Sequence, residues 1–442
     1  MPPPPPQVGL YDAGYRHFHL DDCWAGKERN ATGHVVPEAD HFPGGMKAVV
    51  DYAHSKGLTF GLYTCAGTQT CVGGRPGSKD HWQQDADVYA EWGVDWVKMD
   101  WCNTNGMVPE ETYPLMSAAL NRTGRPMHLN MCEWGKDAPW NWGGKIAQSW
   151  RMSGDHTPVW TSTKRQIEQS AEIPANGTGR EWGWNDMDML ETGNYEQAAH
   201  ANGKAGTMTA TEYQTEFTMW AISASPLTVT TPIMNCTSTG PPPPPPPPFS
   251  GKCSVTLSKQ LSNTKCVLGT NFGCYDDEGV MWTNGGCRGE FACDGMADAT
   301  YCNVDGGRHA NCTCGVPPPA PGPAVCKGWI SDLQKKILLN TEVIAVNQDV
   351  TPQGRPLVDG NLTVWARHLT GGDVAVALYN EGDTASPGLH VEFAALGWPV
   401  GQKATVRDLW AHADVGTATD RTTSVPVAPH EAILYRLSPV TE

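Results

Sequence analysis

Lys98 and Asp100 stand two apart in the stretch WVKMDWCN, residues 96–103. On a strand that spacing puts both side chains on one face, so an apolar run ends with a cation and an acid on the same side. An aspartate with a lysine nearby is held ionised, which suits a nucleophile. A structural ion pair between the two residues reads the same pattern equally well. Asp155 closes SWRMSGD, with Arg151 four residues before it to position a carboxylate, and suits a general acid and base. An aspartate after a glycine is also ordinary turn chemistry. Asp21 and Asp22, in HLDDCW, are adjacent acids that could bind two ligand hydroxyls or a divalent metal, or form a solvated turn.

These residues need a scaffold, and the chain spells one out. Strand-like segments at 15–22, 58–65, 96–101, 128–134, 148–155, 182–189 and 226–231 alternate with the helical patterns GGMKAVVDYAHSKG, QQDADVYAEWG, YPLMSAALNRTG and YQTEFTMWAISAS. Alternation of this kind predicts a parallel sheet covered by helices. The strands end in Asp21 and Asp22, Cys65, Asp100, Glu133, Asp155 and Asp188. Polar chemistry gathered at the C-terminal ends of many parallel strands is the mark of a (β/α)8 barrel. Seven strands can be counted before residue 235, so the expected fold is a barrel lacking its first βα unit. The spacing His17-x-His19, with Lys98 on a later strand, raises a barrel metal site. Both histidines precede the strand end, where core packing is expected, so neither a metal nor a cofactor is expected.

Composition narrows the chemistry. The formal net charge of −16 over 442 residues argues against nucleic acid and anionic membranes as partners, and no apolar run is long enough to span a membrane. Carboxylates with 18 tryptophans, and no P-loop or dinucleotide fingerprint, suggest a sugar site, where two carboxylates across a glycosidic bond can carry out hydrolysis. The opening MPPPPPQVGL shows no secretory signal. Six sequons, at Asn30, Asn121, Asn176, Asn235, Asn311 and Asn361, together with 15 cysteines, still favour an oxidising compartment.

The chain divides into a proline-rich start (1–8), the barrel (9–234), a proline tract with a cysteine-rich insert (235–327), a final barrel helix (328–350) and a C-terminal antiparallel β domain (351–442). The barrel zone holds five cysteines and the insert the other ten, so the insert is expected to be a disulfide scaffold, with the tract at 241–248 an extended polyproline spacer.

The ordered segments DAGYRHFHLDDCW, FPGGMKAVVDYAHSKGLTFGLYT, AGTQTC, WGVDWVKMDWCN, CEWG, SWRMSGD, WGWNDMDMLETGN, TEFTMWAISASPL and LNTEVIAVNQD resemble the glycoside hydrolase family of α-galactosidases (melibiases), which also holds α-N-acetylgalactosaminidases. The resemblance covers most of the chain outside 235–327 and is nearest to the plant type. It implies a (β/α)8 barrel followed by an antiparallel β-sandwich, and retaining hydrolysis of terminal α-galactosides in oligosaccharides or glycoconjugates. It further implies Asp100 as nucleophile and Asp155 as acid and base. Asp21 and Asp22 would bind the galactose 4- and 6-hydroxyls, with Lys98 and Arg151 also on the sugar. Trp24 and Tyr63 would be pocket aromatics, and Asp188 and Met189 would close the pocket. Cys71 and Cys102 would form a disulfide. Cys132, Glu133 and Trp134 would fill the space that an acetamido group at C2 needs, favouring galactose. A secreted, vacuolar or lysosomal location follows from the same likeness. The sequence departs from the family at Cys65, where a polar residue is usual, in the insert, and in a strand, a helix, a pocket tryptophan and a partner for Cys23 expected ahead of Gly9. A non-catalytic sugar-binding protein on such a barrel, or an α-N-acetylgalactosaminidase, are the alternatives.

Overall fold

A computed structural model of the chain describes residues 8–174, 178–179, 183–194, 198–199, 204–205, 208–238, 255–260, 265–270, 272–275, 280–283, 289–293, 300–302, 310–313, 324–328, 330–358 and 360–440. The polyproline spacer expected at 241–248 and the sequon at Asn176 lie outside them. The chain forms two compact units, one holding Met234–Gly328 and the other Pro6–Ile233 with Trp329–Glu442.

In the larger unit, strands β1 (His17–Leu20), β2 (Thr59–Cys65), β3 (Trp96–Asp100), β4 (His128–Cys132), β5 (Ser149–Arg151) and β6 (Trp184–Asp186) form one six-stranded sheet in sequence order. Every pairing is parallel. The arc continues past β6 through a parallel bridge between Leu190 and Val229. The segment expected as a full strand at 226–231 is therefore reduced to a single contact. Among the described residues β1 pairs only with β2, so the strand layer is an open barrel wall.

The helices follow the sequence pattern closely. Helix α1 is the single turn Leu10–Ala13. Helix α2 (Gly45–Ser55) buries Met46, Val50 and Ala53, one stripe at helical spacing. Helix α3 (Trp82–Trp92) stops at Gly93 in the left-handed region, and α4 (Pro109–Arg122) starts on a proline at its first turn. Helix α5 (Trp160–Glu172) was not anticipated: its buried face is Ser162, Thr163, Gln166, Ile167 and Ser170, so hydrophobic periodicity hides it. Helices α6 (Ala210–Ile222) and α7 (Asp332–Leu338) both begin with a capping box, Thr209 with Glu212 and Ser331 with Gln334. Helix α8 (Thr341–Asn347) is capped by Asn340, so the single final helix expected at 328–350 is two short helices broken at Leu339 and Asn340.

Besides a cluster within the C-terminal domain around Val376, Phe393 and Leu437, two apolar clusters involve the barrel. One lies between β1–β4 and α2–α4. The other joins α5–α8 to the inner face of the C-terminal sheet through Trp220, Ile337, Trp365, Ala377 and Leu434, and also takes in Ala13 of α1. Leu10 packs against this same cluster. An added Cβ on Gly9 would lie 3.0 Å from Leu339 Cδ1. The helical layer is thus continuous from α7 to α1 where the strand layer is open. The C-terminal sheet is antiparallel and eight-stranded, in the order Arg355–Val358, Asn361–His368, Val374–Tyr379, Ala432–Pro439, Lys403–Asp408, Ala413–Thr419, Arg421–Thr423 and His390–Glu392. Its Arg367 is buried and donates to the carbonyls of Val346 (2.6 Å), Asp349 (2.7 Å) and Thr351 (2.8 Å), capping the C-terminal end of α8 with a cation.

Among the described residues, the smaller unit holds two three-stranded sheets and a two-stranded ladder in which Met234–Ser238 pairs with Ala324–Gly328. Met234 lies opposite Gly328, so the two ends of this segment lie side by side.

Candidate active site

The C-terminal ends of β1 to β6 carry the acids into one region. Asp100, the last residue of β3, is 7 % exposed. Its carboxylate accepts from Tyr63 Oη at 3.1 Å and from the Trp101 backbone N–H at 2.8 Å. Tyr63 comes from β2, where it is in register with Lys98. Lys98 does not pair with Asp100: its ammonium lies 2.7 Å from Asp21 Oδ2, just past β1. Of the two readings that the spacing left open, this sets aside the structural Lys98–Asp100 ion pair. Burial works to raise Asp21, but the Lys98 ammonium is the main influence opposing it, and the carboxyl is held well below the usual carboxylate range. Burial pushes the Asp100 carboxyl above its ordinary value, with Lys98 and Arg151 opposing. A nucleophile needs the ionised form, so Lys98 works on Asp100 at a distance while its hydrogen bond serves Asp21.

Asp22 is oriented by backbone. Its carboxylate accepts from the N–H of Cys23 (2.6 Å) and of Val72 (3.0 Å). Val72 follows Cys71, which forms a disulfide with Cys102, two residues beyond Asp100, across a Cα separation of 5.1 Å. The loop that holds Asp22 is therefore tied covalently to the loop after the Asp100 strand. The thiols of Cys23, Cys65 and Cys132 are free. Cys65 is buried, donates to the Cys102 carbonyl at 3.1 Å and is pushed up to about 12 by burial, so it stays a thiol.

Arg151 organises the other half. It is 2 % exposed. Its guanidinium reaches Asp188 Oδ2 at 2.9 Å, Asp155 Oδ1 at 3.2 Å and the Ser153 carbonyl at 3.1 Å, and lies 3.8 Å from Cys132 Sγ. Burial works to raise the Asp188 carboxyl, yet Arg151 and the His156 N–H hold it below its ordinary value. The Asp155 side chain, by contrast, is 74 % exposed. A sequestered acid on β3 and an accessible one past β5 are what the two roles in glycoside hydrolysis require.

The other residues expected at the site are spread around this centre. Glu133 is fully buried, accepts from the Asp137 N–H at 3.1 Å and leaves Oε1 without a hydrogen-bond partner. Trp134 has a left-handed backbone (φ 62°) and stacks under the Lys136 ammonium, 4.5 Å from the ring centroid. Cys23 (φ 77°) and Asp188 (φ 79°) share that backbone region. Non-glycine residues there store strain of the kind found at functional sites. Met189 is half-buried beside Asp188. Trp24 is placed differently: its indole donates to the Tyr63 carbonyl at 2.8 Å and packs edge-on against Trp92 of α3, in the core behind the strands. The expected satisfied core pair His17 and His19 is only half so. His17 bonds Thr59 Oγ1 at 2.8 Å, whereas both ring nitrogens of His19 lack hydrogen-bond partners.

Sequence reasoning passed over Asp186 and Asn130. Asp186 accepts from Asn130 Nδ2 at 3.1 Å and from the Asp188 N–H at 2.9 Å, beneath Arg151. The D-x-D spacing of WNDMDM was the available signal.

Buried carboxylates at strand ends, balanced by one lysine and one arginine and opening onto an exposed acid, define a barrel glycosidase site. The comparisons with known proteins agree. Residues 6–239 match the family model described as Alpha galactosidase A, residues 359–437 the Alpha galactosidase C-terminal beta sandwich domain, and residues 247–318 a protein family of unknown function. An α-galactosidase of Coffea arabica is 32 % identical over 98 % of this chain and 86 % of its own, and one of Oryza sativa subsp. japonica is 32 % identical over 98 % and 78 %. The solved structure of α-galactosidase I from Mortierella vinacea superposes with a TM-score of 0.67 at 25 % identity, covering 99 % of this chain and 91 % of that one. The chain belongs to the α-galactosidase (melibiase) family of glycoside hydrolases.

Proposed function

We propose that the protein is a retaining α-galactosidase that hydrolyses terminal non-reducing α-D-galactosyl residues. The observation that carries this reading is the pairing of a buried Asp100, clasped by Tyr63, with a solvent-facing Asp155 held by Arg151. Asp100 attacks the anomeric carbon, the bond from that carbon to the glycosidic oxygen breaks, and Asp155 gives its proton to the departing oxygen. Water then attacks the galactosyl–Asp100 ester, Asp155 takes the water's proton, and Asp100 leaves as a carboxylate. Asp21 and Asp22 bind the sugar's 4- and 6-hydroxyls beside Lys98. Arg151, Asp188 and Met189 complete the far wall.

Glu133, Trp134 and Cys132 occupy the C2 side, which supports galactose over N-acetylgalactosamine by steric exclusion. Natural substrates are α-galactosyl oligosaccharides or glycoconjugates. The formal net charge of −16 supports a partner set without nucleic acid. Among the described residues no helix is long and apolar enough to cross a membrane. The Cys71–Cys102 disulfide and the sequons support a secreted, vacuolar or lysosomal location.

The test is hydrolysis of an aryl α-galactoside by the expressed chain beside Asp100→Asn and Asp155→Asn, with the aryl α-N-acetylgalactosaminide as the competing substrate. Turnover of the galactoside alone, lost by about a thousandfold or more in Asp100→Asn, is expected. A folded, inactive wild-type chain would overturn the reading in favour of sugar binding without catalysis.

A further inference from the structure

The segment that carries Asp155 is held from two sides. On the outer side, α5 fixes its carbonyls: Gln166 Nε2 donates to the Gly154 carbonyl at 2.9 Å and Arg165 Nη2 to the Asp155 carbonyl at 2.7 Å. On the inner side stands His156. Its backbone N–H donates to Asp188 Oδ2 at 2.7 Å, the same oxygen that Arg151 reaches at 2.9 Å. Its ring is fully enclosed, with Nε2 at 2.9 Å from Glu216 Oε1 and Nδ1 at 3.1 Å from Ser162 Oγ.

Glu216 is fully buried as well. Its carboxylate also accepts from the Glu191 N–H at 2.9 Å and the Thr192 hydroxyl at 2.8 Å. A carboxylate only accepts, so Nε2 carries the proton that bridges the pair, and in the neutral ring Nδ1 accepts from the Ser162 hydroxyl. Ser162 Oγ in turn accepts from the Thr157 N–H at 3.1 Å. The ring further packs against Trp220, at 5.1 Å between centroids, and the Trp220 indole N–H donates to the Asp188 carbonyl at 2.7 Å. Every polar atom of the His156 side chain is therefore used. The contacts lead to Asp188, to Arg151 and to the residue directly before it in sequence, Asp155.

We propose that His156, locked by Glu216, is a positioning residue for the acid and base Asp155. An exposed carboxylate with a single 3.2 Å contact to Arg151 has little of its own to keep it aimed. The His156–Glu216 pair supplies the rigidity by fixing the neighbouring peptide and the Asp188–Arg151 pair together. This rests on the assignment of Asp155 as acid and base.

The experiment uses the full chain and two substrates. One is a dinitrophenyl α-galactoside, whose leaving group departs without a proton. The other is an alkyl α-galactoside, whose leaving group needs one. kcat/KM, which reports the glycosylation step, is measured for the wild type, His156→Ala, His156→Gln, Glu216→Gln and Asp155→Ala. The expected result is that His156→Ala loses roughly 10- to 100-fold on the alkyl substrate and less than about threefold on the dinitrophenyl one. His156→Gln, which keeps a donor toward Glu216, recovers most of the loss. Glu216→Gln falls between. Equal losses on both substrates for His156→Ala and Glu216→Gln, while Asp155→Ala remains leaving-group selective, would overturn the positioning role. Equal losses in Asp155→Ala itself would instead overturn the assignment of Asp155. Should His156→Ala fail to fold, the His156→Gln and Glu216→Gln pair decides between the same outcomes.

Discussion

Asp21 shows how much a single side chain can hold in this site. It accepts the Lys98 ammonium at 2.7 Å and the Asp22 N–H at 2.8 Å, and so joins the end of β1 to the middle of β3. Replacing it by Asn keeps the shape but removes the charge that Lys98 answers, and turns one acceptor into a donor. Asp21→Asn is expected to lower kcat/KM on an aryl α-galactoside by about a hundredfold, with KM carrying much of the change; a kcat/KM within a fewfold of wild type would remove Asp21 from the sugar site. The acids themselves were legible at residue scale, because a carboxylate that closes an apolar strand-like run is costly to place there unless it pairs, binds or reacts. Their partners were less so. Residues two apart on a strand share a face, yet Lys98 reaches across the sheet to Asp21, and sequence spacing carries no information about such cross-strand neighbours. The same blindness applies to His156 and Glu216, which lie 60 positions apart.

Elements aim these residues through close approaches as much as through regular structure. Gly135, in the CEWG loop after β4, has φ +74°, and a Cβ there would lie 2.0 Å from the Met152 carbonyl oxygen, next to the strand that delivers Arg151. No side chain can be accommodated without moving one loop off the other. Gly135→Ala is expected to cost about 2–4 kcal/mol of unfolding free energy, read by urea denaturation, and to lower kcat with it. A melt that superimposes on wild type would show that the two loops do not need to touch. Most helices and strands could be placed from apolar periodicity, since α2 buries Met46, Val50 and Ala53 in register. Helix α5 could not, because its buried positions are mainly Ser, Thr and Gln, of which Ser162 and Gln166 bond to the Asp155 loop. It is an element whose sequence follows its function more than its packing.

On the scale of the whole molecule, the barrel interior below the acids is built with histidines kept neutral. Burial pulls His128 down to about 4 and also lowers His19, where the pull of Asp21 opposes it. His128 bonds Ser149 Oγ at 2.7 Å. In the unfolded chain each would protonate near its ordinary value of about 6.5. Between that value and about 4, the unfolded state therefore binds more protons, and stability falls as pH falls. His128→Gln, which can keep a bond to Ser149, is expected to flatten the loss of unfolding free energy between pH 6.5 and 4 by up to roughly 3 kcal/mol. Parallel wild-type and variant curves across that window would contradict a His128 kept neutral. A parallel barrel followed by an antiparallel β domain was readable from the change in apolar periodicity along the chain. The way the helical layer runs on past an open strand wall, through Leu10 and Ala13 against the cluster of Ile337 and Leu338, was not, because it depends on contacts between the two ends of the barrel sequence.

All of this serves one covalent step, and that step can be observed directly. The chain would be incubated with a fluorosugar galactosyl donor, whose electron-poor anomeric carbon slows breakdown of a glycosyl ester more than its formation. Intact mass and peptide mapping would follow. One galactosyl-sized adduct per chain, on the peptide bearing Asp100 and absent from Asp100→Asn, is the expected result. An adduct on another carboxylate, or turnover of the donor with inversion and no adduct, would contradict Asp100 as the nucleophile.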